Sequence, residues 1–234
     1  IFIMESFSLD REIARLILLQ RIELITPFQK KIRKLFGRYF FTNFFSKYFI
    51  NIKKVSKNYF EIMQTEYNSI EKFMKPNQNI LCIGSGIGGL EIIINQRFLN
   101  NKFHFIERNF ISKKVRYGWD TKNSEAYNDL KLLEKFLILN HLKKNNFKIT
   151  NFDLDELPKN KYNLVTSLYS LDFHYDFEIY KNYLKNVSTE DTFIIFDTIR
   201  PDYFNKIFKS IEILKIENDT VHRSKRLACR GFIN

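Results

Sequence analysis

Three glycines and one acid carry the first chemical information in this chain. Gly84, Gly86 and Gly88 interrupt the run NILCIGSGIGG at residues 79–89, just after the apolar stretch Ile80 to Ile83 and just before LEIIINQRFL. A strand that breaks into glycines and restarts as a helix aims backbone N–H groups and the positive end of a helix at whatever lies above the turn. Gly84 permits a turn that side chains forbid, while Gly86 and Gly88 let a ligand lie against bare backbone, with Ser85 in the same turn. Glu107 closes a second apolar run, Phe103 to Ile106, 23 positions after Gly84. Its two oxygens suit the two hydroxyl donors of a ribose. Gly84, Gly86 and Gly89 alone form a Gly-x-Gly-x-x-Gly match shared by many turns that bind nothing. The order strand, glycines, helix, strand, acid is what predicts a nucleotide-like cofactor.

The elements that must position these groups alternate along the chain. Strands are expected at 79–83, 103–107, 148–152, 162–168 and 192–198, with helices near 88–99, 124–142, 176–187 and 202–209 between them. Two final strands, IEILKIE and RLACRGFI, are joined by a short polar loop and should pair antiparallel. Such alternation implies an α/β, Rossmann-like, doubly wound, mostly parallel seven-stranded sheet with an antiparallel C-terminal edge hairpin. In such a sheet a ligand lies at the carboxyl ends of the strands where their order reverses, which sets Gly84 beside Ser167. Residues 1–75 read instead as a helical extension ahead of a domain at 76–234. Ser8, with Asp10 and Glu12, is the expected start of IARLILLQRIELI. Thr26-Pro27-Phe28-Gln29 forms a capping box, and a further helix from Ser56 sets Phe60, Met63, Tyr67, Ile70 and Met74 on one apolar face.

Two downstream segments add to the constellation. Asp153 follows KITNF, where a side-chain acceptor and a neighbouring N–H could read the edge of an adenine. The strand YNLVTSL then empties into LYSLDFHY. With ILCIGSGIG, Glu107 and the tail NYLKNVSTEDTFIIFDTI, these pieces resemble the class I S-adenosylmethionine-dependent methyltransferases over residues 76–233. The resemblance implies an enzyme that uses S-adenosyl-L-methionine. It would place Gly84, Gly86 and Gly88 at the methionine part of the cofactor, Glu107 at the ribose, Asp153 and Leu154 at the adenine, and Ser167 at the strand-four exit. One position departs from the family: Cys82 stands two residues before the first glycine, where an acid is common. GSGIGGLE followed by FIERN also resembles flavoprotein monooxygenases, so a flavin- or nicotinamide-binding oxidoreductase is the rival. Against it, some 75 residues precede the motif and the chain is short for such an enzyme.

Methyl transfer from a sulfonium is an in-line displacement, and a hydroxyl acceptor also needs a base within hydrogen-bond reach. Asp172, His174 and Tyr175, after strand four, are the candidates; the plain alternative is a capped loop with a packed histidine. Tyr117 and Trp119, in RYGWD, are candidates to contact substrate, with Trp119 as a core anchor the alternative. No Asn/Asp-Pro-Pro-Tyr/Phe follows strand four, which argues against base-amine methylation, and no substrate-side cysteine suggests covalent pyrimidine chemistry. A small-molecule acceptor, such as a sugar or metabolite hydroxyl or amine, is therefore the first expectation.

Composition bounds the rest. The 234 residues have a formal net charge of +12 and contain 25 Phe. Lys, Asn, Ile and Phe are abundant together, as an AT-rich coding sequence would produce, so part of the charge carries no functional information. Cys82 and Cys229 are the only cysteines and read as buried thiols of a reducing compartment. No metal-ligand spacing is present. Arg15, Arg21 and Lys47 cut the longest apolar runs below membrane-spanning length, and no secretory signal is visible, so a cytoplasmic location is expected. Lys30, Lys31, Arg33, Lys34, Arg38, Lys47, Lys53, Lys54 and Lys57 occur with no acid between Glu23 and Glu61. This segment suits nucleic acid, as in an RNA methyltransferase, or an anionic membrane surface. The preferred reading is a cap with its aromatics buried and its lysines solvated, with nucleic acid ranked behind a small molecule.

Overall fold

Alternating apolar residues in the strand that leads to the glycines fix how the molecule is layered. The computed structural model describes residues 4–41, 44, 46–112, 126–173, 175–216 and 223–233. Strand β1 (Asn79–Ile83) sends Ile80 and Cys82 into one core and Leu81 and Ile83 into another, as the two-residue period of a strand requires. Both faces of the sheet are therefore covered.

β2 (Lys102–Glu107), β3 (Phe147–Asn151), β4 (Leu164–Ser167) and β5 (Phe193–Thr198) join β1 in parallel. β7 (Lys225–Phe232) pairs antiparallel with β5, and β6 (Phe208–Ile216) closes the edge, giving the order β3-β2-β1-β4-β5-β7-β6. The seven-stranded expectation is met, including the terminal hairpin. Strand order reverses between β1 and β4, so a crevice opens above their carboxyl ends.

Helices α5 (Gly89–Arg97) and α6 (Leu130–Leu139) cover one face, and α7 (Glu178–Val187) covers the other. The helix expected at 124–142 is thus shorter, because Asp129 caps it through the N–H groups of Lys131 and Leu132.

The N-terminal extension holds α1 (Arg11–Gln20), α2 (Pro27–Phe40), α3 (Ser46–Phe49) and α4 (Ile52–Ile70). Its buried residues, from Phe7 and Ile13 through Tyr67 and Ile70, belong to the same core as Ile80, Cys82 and Phe105. Thr26 and Gln29 form the expected capping box, each side chain accepting the other's backbone N–H at 3.2 and 2.9 Å. Two starts differ from expectation. Asp10, not Ser8, caps α1, because the Asp10 carboxylate accepts the Ile13 N–H at 2.8 Å. α4 begins at Ile52, before Ser56, because the Asn51 side chain caps it.

The expectation of buried aromatics in this extension holds for Phe41 and fails for most of the described aromatics between residues 28 and 49. Phe28, Phe36, Phe40, Phe44, Tyr48 and Phe49 are all exposed, as is Leu35. A sequence period marks an apolar face but does not say what that face meets. Among the described residues, no helix is long and apolar enough to cross a membrane.

Candidate functional site at the strand switch point

The glycine turn is built as expected, but part of its space serves the protein's own packing. Gly84, Gly86 and Gly88 have φ of 63°, 66° and 83°, a region that L side chains rarely adopt. A Cβ on Gly84 would lie 1.8 Å from the Ser170 hydroxyl, and one on Gly86 would lie 2.8 Å from the Gln20 amide oxygen. Gly88 backs onto Leu137, Leu133 and Phe105, so it brings α5 against the core and does not present bare backbone to a ligand.

Glu107 sits directly over the turn. One carboxylate oxygen accepts from the Ser85 hydroxyl and the Gly86 N–H, both at 2.9 Å. Burial pushes its pKa up to about 7, against the lowering effect of hydrogen bonds from Asn128, Ser85 and Gly86. Asn128 donates to the Gly86 carbonyl at 2.7 Å and accepts from Gln20, which also donates to the Tyr127 carbonyl. The last residue of α1 and the residues leading into α6 thus grip the turn from outside the sheet.

A cleft of about 150 Å³ opens here, walled by Gln20, Arg21, Ser85, Glu107, Arg108, Tyr169 and Tyr175 among others. Behind it a chamber of about 20 Å³ shares Arg21, Ser85 and Leu168 with the cleft and adds Glu66, Glu91 and Thr166. That volume suits a group the size of a water or an ammonium. One Glu91 carboxylate oxygen and the Thr166 hydroxyl are buried with no hydrogen-bond partner among the described residues. Desolvation raises the Glu91 pKa to about 7. The Cys82 thiol lies beside both groups, and buried polar atoms normally find partners, so the remaining Glu91 oxygen marks a place built for a donor.

Tyr169 forms the opposite wall, held at φ 55°. Its N–H donates to Asp197 at 2.9 Å, and the guanidinium groups of Arg21 and Arg226 lie 5.6 and 5.3 Å from its ring centre. Arg226 is buried and forms a two-pronged pair with Asp197 at 3.0 Å, a further pair with Glu66 and a bond to Ser69. One wall of the cleft is therefore braced by α4, β5 and β7 together.

Of the residues expected from sequence, Gly84, Ser85, Gly86, Glu107 and Tyr175 meet at this cleft. Asp153 does not reach it: it pairs with Arg108 at 3.0 Å on the turn after β3, and only Arg108 enters the wall. Leu154 is 83% exposed, away from the cleft. Ser167 is buried beneath it, donating to the Ile83 carbonyl and accepting the Leu171 N–H, which staples the β4 exit to β1. Asp172 is fully buried and bound by Arg200 and Thr198, each at 2.5 Å, which leaves it no approach to a substrate proton. His174, Tyr117 and Trp119 lie outside the described residues.

Gln20, Arg21, Glu91, Asn128 and Tyr169 went unnoticed in the sequence. Only Glu91 left a trace there, as an acid inside the apolar run LEIIIN. Among the described residues no cluster of three or more His, Cys, Asp or Glu could hold a metal ion.

The donors and acceptors around the cleft fit an adenosyl amino acid. A carboxylate at the end of β2 lines the cleft, and an orphaned buried carboxylate and a cation flank the inner chamber.

No protein-family model matches the chain, and no curated protein matches it in sequence. Solved structures similar to it include ribosomal protein L11 methylase from Lactobacillus delbrueckii subsp. bulgaricus, 16% identical with a TM-score of 0.47 over 75% of this chain and 80% of that one. Precorrin-6y C5,15-methyltransferase from Geobacter metallireducens GS-15 is 14% identical, with a TM-score of 0.45 over 73% and 87% of the two chains. A S-adenosylmethionine-dependent methyltransferase from Thiobacillus denitrificans, in complex with S-adenosyl-L-homocysteine, is 9% identical, with a TM-score of 0.41 over 68% of this chain and 51% of that one. These are likenesses of outline, and none assigns a role to a residue of this chain.

Proposed function

We propose that this chain is a S-adenosylmethionine-dependent methyltransferase whose acceptor is a small molecule. The observation that carries the reading is the cleft at the β1/β4 switch point, where the Gly84–Gly86 turn, the Glu107 carboxylate and an orphaned Glu91 oxygen converge. S-adenosylmethionine supplies a methyl group activated on a sulfonium, which a nucleophile takes by in-line displacement. Glu107, when ionised, accepts hydrogen bonds from the ribose hydroxyls. Arg21 attracts the cofactor's carboxylate, and Glu91 with Thr166 receives its ammonium, in place of the acid that Cys82 replaces. Arg108, positioned by Asp153, forms the outer wall on the adenine side.

Tyr169 and Tyr175 hold the acceptor against the donor, and Tyr175 replaces Asp172 as the group best placed to touch it. Gln20 and Arg21, from the extension, close the inner side of the cleft, which favours an acceptor small enough to enter over a folded nucleic acid. Titration calorimetry with S-adenosylhomocysteine tests the reading: micromolar-range binding supports it, and no heat at about millimolar ligand overturns it.

A further inference from the structure

The extension carries a surface that methyl transfer does not use. In α2, Phe28, Ile32, Leu35 and Phe36 share one face at the i, i+4, i+7, i+8 spacing. Ile32 touches the core, whereas Phe28, Leu35 and Phe36 are 67%, 78% and 57% exposed. Lys30 and Lys34 occupy the opposite arc and Lys31 its border, all three exposed. Beyond the bend at Gly37, Phe40, Phe44 and Tyr48 continue the apolar surface as a ladder of rings. Between Glu23 and Glu61 the chain has nine Lys and Arg and no acid.

We propose that α2 and the exposed rings of Phe40, Phe44, Tyr48 and Phe49 lie on an anionic lipid bilayer, with the aromatic stripe in the acyl boundary and the lysines among the headgroups. An apolar stripe beside an unbroken cationic arc matches both phases of such a surface, and the helix is too short to span it. Single-stranded nucleic acid fits less well. Bases need free ring faces, but here the rings pack on one another at centroid distances of 5.1, 5.2 and 5.7 Å. An aliphatic side chain as exposed as Leu35 offers a nucleic acid nothing.

Vesicle flotation of the full chain tests this, comparing neutral phosphatidylcholine with vesicles containing about 30% phosphatidylglycerol in roughly 0.1 M salt. Partition onto the anionic vesicles is expected to be at least about tenfold higher than onto the neutral ones. Two triple variants should each lower it by roughly tenfold or more: Lys30→Glu with Lys31→Glu and Lys34→Glu, and Phe28→Ser with Leu35→Ser and Phe36→Ser. All six side chains are solvated, so thermal unfolding should match the wild type; a single Leu35→Asn variant repeats the test if the apolar triple unfolds early. No partition onto anionic vesicles overturns the proposal. So does full binding by the apolar variant, which would mean adsorption by charge alone. Binding to single-stranded RNA, or self-association lost in the apolar variant, overturns it if vesicles are ignored.

Discussion

Glu107 and Glu91 decide the chemistry of the cleft at the scale of single residues. Burial raises both to about 7, above their ordinary value of 4.5. The folded protein therefore holds more protons than the unfolded chain between those values, and its stability falls as pH rises through that window. The slope is at most about 1.4 kcal/mol per pH unit for each group. Glu91→Gln should flatten that fall in denaturant titrations across the window; an unchanged slope would mean that the carboxyl is already paired.

Ligand binding should run the other way with pH, because hydroxyl and ammonium donors need the ionised acids. Glu91 faces Cys82 on β1, Arg21 after α1, and Tyr59 and Glu66 on α4, with Glu107 across the turn. S-adenosylhomocysteine should bind roughly tenfold more tightly at about pH 8 than at about pH 6. 5′-Methylthioadenosine, which lacks the amino-acid end, reports on Glu107 alone. Arg21→Ala and Glu91→Gln should each weaken S-adenosylhomocysteine by about tenfold and leave methylthioadenosine unchanged. Equal losses for both ligands would remove these two residues from the site.

Elements explain which of these groups were legible in the sequence. Gly84 and Glu107 could be read because each ends a strand whose apolar run announces it. Glu107 reaches Gly86 across parallel neighbours in register. Gln20 and Asn128 could not be read, since they meet across 108 positions and neither belongs to a motif. Asp172 misled because its place after β4 suits a base, whereas Arg200, 28 residues later, folds back to claim it. The turn itself makes a sharp prediction. Gly84→Ala puts a methyl into the Ser170 hydroxyl at positive φ and should cost about 2 kcal/mol or more in chemical denaturation. Adding Ser170→Gly should recover the steric part and leave the backbone part. Full recovery would show that the left-handed conformation carries no cost.

Across the whole molecule, the extension and the sheet are joined by charge as well as by apolar packing. Arg226 on β7 holds Asp197 on β5 and Glu66 on α4, all of them buried. Arg226→Met would leave two carboxylates without their cation and should destabilise the fold by about 3–5 kcal/mol in urea titrations. A change below about 1 kcal/mol would show that solvent reaches the cluster. The mostly parallel seven-stranded sheet was legible at this scale because helices and strands alternate; the outward aromatics were not, because exposure depends on partners that periodicity does not encode. A crystal structure grown with S-adenosylhomocysteine tests the central claim most directly. The account predicts the ribose on Glu107 and the amino-acid end between Arg21 and Glu91. A cleft left empty, with the ligand bound elsewhere or absent, would contradict it.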